Sequence, residues 1–417
     1  MDEPRSIGVQ APFVPPLGQD NAMAGNAPES SNDADPPLVS GFTHTERKLL
    51  LVVGTALVLD AYDMLIINAV ATMLQFRLYN GRHLPPFLEG LVKSGAVIGT
   101  PVGEIIFGYM ASIHGRRPTY VIELIVIIVA TILCLSTPTG SLSPKNSLVF
   151  LGCFRILLGV GIGGDWTLSM PILIENSLTN KRGKLLSGAA AFLGVGALAG
   201  NIVAVSVLAC YKTSMADGNT SKFDGVWRII VGMSLVPAFG TLYLRVKLPE
   251  SARYEEFRPK RLPVGVTNTR RPAPLEFARD TSSTRRHLEP ERDSRLPWPD
   301  SGAAPVDSGF LREFCRFYSQ WDHCKLLVGA SIVAFSLNVV AYGVILNQNF
   351  VLQQIGFGGR TGTPWQQLFR ISVGSLIATT MGYLPGYIVT VFTIERLGRK
   401  WIAVQGFVSM ALFWLRL

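Results

Sequence analysis

Asp60 and Asp63, in L-D-A-Y-D, and Asp165, in R-I-L-L-G-V-G-I-G-G-D-W-T-L-S-M-P-I-L-I-E-N (residues 155–176), sit in stretches apolar enough to lie in hydrocarbon. A charge among lipid tails is costly, so such acids normally face a polar cavity or a partner. Asp60 and Asp63 are three apart and share one helical face, where two carboxylates behave as coupled titrators. The chemistry on offer is proton handling or gating. The plainer alternative is that one of them only pairs with a basic residue to hold helices together. Asp165 shares its stretch with Arg155 and Glu175, and Gly159, Gly161, Gly163 and Gly164 strip side chains from that helix so that a neighbour can approach closely. A glycine-rich run also cradles phosphate in soluble nucleotide-binding proteins, but that use needs a preceding strand and a Lys-Ser/Thr ending, and neither is here.

The elements that must carry these residues are membrane spans. Of 417 residues, 48% are hydrophobic and only 16% charged, and the mean hydropathy is +0.32, too apolar for an ordinary soluble fold. Several segments reach the ~20 apolar residues that cross a bilayer. Spans are expected from about Leu49 to Leu74, Gly90 to Ser112, Tyr120 to Leu135, Leu148 to Asn176, Leu185 to Cys210, Trp227 to Leu244, Leu326 to Phe350 and Leu368 to Ile394, with a ninth starting at Trp401. Glu104 and Glu123 lie in the second and third. Each is expected at an interface or bonded to a neighbouring helix, and for Glu123 that plain role fits better than a functional one. The seventh span carries Asn338, Asn347, Gln348, Asn349 and Tyr342, polar groups that need partners in hydrocarbon, so part of it should line a polar cavity. Pro385-Gly386 should kink or break the eighth.

The connections set topology. Residues 1–45 are rich in Pro, Gly, Asn, Ser and Asp and read as a disordered cytoplasmic tail; a cleaved signal peptide is not expected. Residues 46–250 hold six spans, 251–325 form a central cytoplasmic loop that is mostly disordered, and 326–417 hold about three more spans. The end of the central loop, F-L-R-E-F-C-R-F-Y-S-Q-W-D-H-C-K, interleaves aromatics with charges. Such a pattern could bind RNA, but beside a membrane entry an interfacial amphipathic helix is the better reading. The net charge of +9 falls mostly in loops on one side, a positive-inside pattern rather than a nucleic-acid surface. Asn219-Thr220-Ser221 is a glycosylation acceptor that requires an outside loop, in agreement with an inside N-terminus. The five cysteines have no metal-ligand spacing, so neither a disulfide framework nor a metal site is expected. No cofactor is expected either. An enzyme is the least expected class, since no nucleophile–base pair, metal cluster or nucleotide loop stands in a plausible context.

G-R-R after the second span and G-R-K after the eighth occupy matching places, which implies a duplicated architecture. Together with R-x-x-x-G-x-G-x-G-G-D and P-E-S-A-R-Y, Pro249 to Tyr254, they resemble the major facilitator superfamily. More narrowly, L-D-A-Y-D, G-G-D-W-T-L-S, V-W-R-I-I and P-G-Y-I-V-T-V-F-T-I-E-R-L-G-R-K are similar to the phosphate:proton symporters of fungi and plants. The resemblance implies an all-α membrane protein of facilitator fold, with a complete six-helix N-terminal half and an incomplete C-terminal half. It further implies alternating access around a midplane site and proton-driven uptake of phosphate or a phosphorylated small solute, in the plasma membrane. By the same resemblance Asp60, Asp63 and Asp165 would move protons. Trp166 stands at a substrate-contacting Tyr position, Leu193 at a Gln, and Ala334, Asn338 and Tyr342 at a Trp, an Asp and a Tyr. Gly108, Gly115, Arg116, Arg117, Arg155, Glu395, Arg396, Gly398 and Arg399 fall on its gating and structural motifs, while Ser112 and Ile113 replace an acid and an Arg. Asn338 can donate to an anion without a proton, so coupling at that position should be weak or absent. The alternative is a transport-inactive membrane protein of the same family, acting as sensor or assembly partner or doing nothing. The oligomeric state is not legible.

Overall fold

The computed structural model describes residues 44–175, 182–215, 220–247, 315–358 and 362–414. Among the described residues lie ten α-helices of at least ten residues. They are α1 (His44–Tyr79), α2 (Pro86–His114), α3 (Arg116–Leu135), α4 (Pro144–Glu175), α5 (Arg182–Cys210), α6 (Phe223–Gly232), α7 (Leu235–Val246), α8 (Trp321–Gln354), α9 (Pro364–Leu397) and α10 (Arg399–Trp414). Eight segments are long and apolar enough to cross a membrane, α6 and α7 counting as one. α10, with 16 residues, is about 24 Å long, short of a bilayer core of ~30 Å. The expected tail, most of the central loop, P-E-S-A-R-Y, Asn219, and the side chains of Glu175, Glu395 and Arg399 lie outside the description.

Local chemistry fixes the ends. α1 stops at Asn80-Gly81, both with positive φ, the left-handed step that ends a helix. Gly115 between α2 and α3 and Gly398 between α9 and α10 are single-residue joints with φ of 97° and 77°, so the two basic turns matched in sequence also match in backbone. α6 and α7 form one span with a break at Met233–Ser234, because Pro237 has no N–H to bond the Met233 carbonyl. The break expected at Pro385 does not occur: α9 is one helix from Pro364 to Leu397, and Leu384 and Tyr387 on either side of that proline pack on Gly194 of α5. Neither does the expected interfacial helix form over its whole length. A helical turn at 315–318 is followed by a turn at Ser319–Gln320, and α8 then starts at Trp321; extended backbone at Gln320 separates the two.

Take the start of α1 as the near end of the bundle and its finish as the far end. α2 and α4 pack with almost nothing between them. A Cβ on Gly99 or Gly103 would overlap the Ile156 or Val160 carbonyl, and one on Gly159 or Gly163 would overlap the Ala96 or Thr100 carbonyl. α5 and α9 run antiparallel in contact along their length, from Gly183 beside Ile394 to Leu208 beside Trp365. α1 and α8 meet only in the far half. From residue 325 to 339 every residue of α8 is exposed.

Candidate functional site

The three aspartates are buried, at 1%, 2% and 0% exposure for Asp60, Asp63 and Asp165, and they fall into two centres. In the first, the close packing of α4 on α2 presses Asp165 toward α3 and α7. Arg245, in the last turn of α7, donates from Nη1 to Glu123 Oε2 at 2.5 Å and to the Tyr120 carbonyl at 2.9 Å, and from Nη2 to Asp165 Oδ1 at 3.1 Å. Its guanidinium stacks 3.7 Å above the Tyr120 ring. Ser169 donates to Asp165 Oδ1 at 2.6 Å and meets the Tyr120 hydroxyl at 2.8 Å. Asp60 of α1 lies against Asp165. Three carboxylates therefore gather around one guanidinium, and four of their oxygens, Asp60 Oδ1 and Oδ2, Asp165 Oδ2 and Glu123 Oε1, are buried without a donor among the described residues. Two facing carboxylates with no donor between them are both satisfied only when they share a proton.

The second centre belongs to Asp63 and Arg155. Arg155 Nη1 donates to the Asp63 carbonyl at 3.1 Å, and the Ser234 hydroxyl lies beside the Asp63 side chain. Asp63 Oδ2 and Arg155 Nε and Nη2 are buried with no partner. Asp60 and Asp63 thus share a helical face but answer to different arginines, and the simple picture of one coupled pair gives way to two separate centres.

Of the residues expected at a substrate cavity, Trp166 and Tyr342 pack against one and the same apolar cluster, that of Leu59, Met64 and Ile162, and the Tyr342 hydroxyl points at Met64 Sδ from 3.8 Å. Asn338 stands apart, exposed, its amide donating to Ala334 O of its own helix at 2.9 Å. Among the gating motif residues, Gly108 packs on Thr167 of α4 and Arg117 donates to the Val246 carbonyl at 2.5 Å. Ser112 bonds only back to Tyr109 O at 2.7 Å, so the position where the resemblance expects a latching acid ties no second helix.

The far half of the interface between α1, α5 and α8, α9 is sewn by neutral groups. Asn68 donates to Ile345 O at 2.7 Å, Asn349 to Thr72 Oγ1 at 3.3 Å, Asn201 to Thr379 Oγ1 at 2.9 Å and Trp365 Nε1 to Leu208 O at 2.8 Å. Ser375 donates to Asn349 Oδ1 at 2.9 Å, which ties α9 into the same knot. Of the amides that the sequence flagged in the seventh span, Gln348 and Asn349 find partners here, donating to Ser375 O and Thr72 Oγ1, whereas Asn338 and Asn347 bond Ala334 O and Gly343 O of their own helix.

Comparison with known proteins places this geometry. Residues 49–259 match the family model described as sugar (and other) transporter. A Schizosaccharomyces pombe relative, provisionally named an inorganic phosphate transporter, is 35% identical over 400 residues, covering 89% of this chain and 69% of the relative. The chain belongs to the sugar (and other) transporter family of the major facilitator superfamily. An inorganic phosphate transporter of Saccharomyces cerevisiae is 32% identical over 394 residues, with 89% and 64% covered. One from Oryza sativa is 31% identical over 386 residues, with 88% and 69% covered. The chain thus spans about two thirds of the length of these relatives. Among solved structures, the partially occluded inward-open xylose transporter of E. coli superposes with a TM-score of 0.53 at 17% identity, over 85% of this chain and 74% of that one. At that identity the likeness speaks for the facilitator fold alone.

Sequence reasoning missed Arg245 and Tyr120 of the first centre and the Asn68, Thr72 and Asn201 side of the far seam. Arg245 carried one usable signal: it precedes P-E-S-A-R-Y by only four residues, inside an apolar span.

Proposed function

We propose that the chain is a proton-coupled secondary transporter that takes up inorganic phosphate, or a phosphorylated small organic solute, by alternating access. The observation that carries the coupling is the buried centre in which Asp60, Glu123 and Asp165 surround Arg245 with four oxygens lacking donors. Such a centre binds or yields a proton when a neighbouring helix shifts. The substrate class is supported by the names of the fungal and plant relatives. In this reading residues 46–250 and 326–417 are the two membrane units, the near end faces the cytoplasm, and the membrane is the plasma membrane. Trp166 and Tyr342, with Asn338 on the exposed stretch of α8, contact the substrate. Gly108, Gly115, Arg116, Arg117, Glu395, Arg396, Gly398 and Arg399 belong to the near-end gate.

The test is uptake of labelled phosphate into cells lacking their own phosphate transporters. Uptake should rise as external pH falls, and Asp60→Asn or Asp165→Asn should remove that rise while the protein still reaches the surface. Surface-located wild-type protein with no uptake above background, for phosphate and for phosphorylated solutes alike, would overturn the reading.

A further inference from the structure

A cavity at the far seam has room for one water-sized occupant. It is lined from four helices by Asn68, Asn201, Gln348, Asn349, Ser372 and Ser375, with small and aliphatic residues completing the wall. The hydrogen bonds around it are lopsided. One amide N–H of Asn68 goes to Ile345 O, one of Asn349 to Thr72 and one of Gln348 to Ser375 O at 3.4 Å, while the Asn201 amide bonds both Ala197 O and Thr379 Oγ1. The Ser375 proton goes to Asn349. Among the described residues, the oxygens of the lining that receive no donor are Asn68 Oδ1, Asn201 Oδ1, Gln348 Oε1 and the hydroxyl oxygens of Ser372 and Ser375. Asn68 is only 3% exposed, and its Oδ1 is buried with no donor at all. An orphaned acceptor of this kind normally has a bound partner to account for it.

We propose that this cavity is a binding site for one dehydrated monovalent cation of about sodium size. The lining contains no charged side chain, so nothing there offsets a double charge, and hard divalent ions take carboxylates. A single water has two protons for a wall that offers more acceptors than that. A cation takes all of them at once. Because the wall is drawn from α1 and α5 on one side of the seam and α8 and α9 on the other, the site exists only while the far ends are together. Occupancy therefore favours the far-closed state, by as much as the ion's affinity for that state exceeds its affinity for the parted one.

Thermal unfolding of the purified full chain in sodium, potassium or lithium chloride, compared with choline chloride at equal ionic strength, tests the site. One small cation should raise the midpoint saturably above the choline value, and Asn68→Leu should weaken its apparent affinity by about tenfold or more. Ser372→Ala should act in the same direction. Ser372 has no hydrogen-bond partner among the described residues to lose, so this variant keeps the test open if Asn68→Leu does not fold. Equal midpoints in all salts mean that the cavity holds only water, which overturns the proposal. A cation shift that survives both substitutions puts the ion elsewhere and overturns it too. The readout is stability rather than transport, so its failure leaves the phosphate reading standing, and failed phosphate uptake leaves this one standing.

Discussion

Removing Arg245 is the sharpest test of the acid centre. The guanidinium supplies three hydrogen bonds, to Tyr120 O, Glu123 Oε2 and Asp165 Oδ1, and it is the cation that faces the three carboxylates. Arg245→Met keeps much of the volume over the Tyr120 ring but leaves Glu123 and Asp165 buried without it. Taking one partner from a buried ion pair costs about 3–5 kcal/mol. At about 2 °C per kcal/mol for a large chain, the unfolding midpoint in detergent should fall by about 6–10 °C. Glu123→Gln keeps an acceptor for Nη1 and removes one excess charge, so it loses only the difference between a charge-assisted and a neutral bond, about 1–2 kcal/mol. The double variant has fewer uncompensated acids than Arg245→Met alone. Its shift should therefore fall short of the sum of the single shifts, with a coupling of about 2 kcal/mol. An Arg245→Met midpoint within about 2 °C of wild type, or strictly additive single shifts, would refute the idea that Arg245 neutralises the cluster.

Three further outcomes are expected. If Asn338 contacts the anion as proposed, Asn338→Asp sets a carboxylate against it that repels substrate unless protonated, so phosphate uptake should fall more steeply toward neutral pH than in wild type; superimposable pH profiles would count against that placement. Gly163→Ala places a methyl against the Thr100 carbonyl and should cost about 1–3 kcal/mol by overpacking, read as a lower unfolding midpoint; an unchanged midpoint would show that α2 and α4 have slack. Trp365→Phe removes the bond to Leu208 O while keeping a ring under Lys212, so the loss should be about 0.5–1.5 kcal/mol, and a larger one would mean that the indole does more than this bond.

The first eight spans and their order were legible because hydropathy reports length and depth directly; the ninth, expected from Trp401, meets only the 16-residue α10. The glycine run was legible as a close-approach face, since only missing side chains allow backbones to touch, and α2 meets α4 at Gly159 and Gly163. Partnerships across the chain were not. Asp165 and Arg245 are 80 residues apart, and Glu123 and Arg245 are 122. No local spacing announces that they converge. Helical periodicity put Asp60 and Asp63 on one face, but which arginine each meets depends on how α4 and α7 are rotated around α1. The break at Met233–Ser234 and the continuity at Pro385 show the same limit. Whether a proline interrupts a helix depends on what packs beside it, and Pro385 has α5 alongside.

The distribution of charge has a mechanical consequence. Both buried arginine centres lie wholly within the unit formed by α1 to α7, whereas, among the described residues, the hydrogen bonds across the far seam join neutral amides, hydroxyls, an indole and carbonyls. A buried ion pair is expensive to break, about 3–5 kcal/mol when one partner is lost. A neutral hydrogen bond exchanged for one to water is worth only about 1 kcal/mol. Parting the far ends therefore exchanges a few neutral bonds for hydration and leaves the two Arg245 ion pairs and the Arg155 bond to the Asp63 carbonyl intact. The acids then respond to the motion through small shifts of α1, which carries Asp60 and Asp63 at its middle and Asn68 and Thr72 on the seam. One helix thus links the acid centre to the far seam, and parting that seam breaks neither of the ion pairs that Arg245 makes with Glu123 and Asp165.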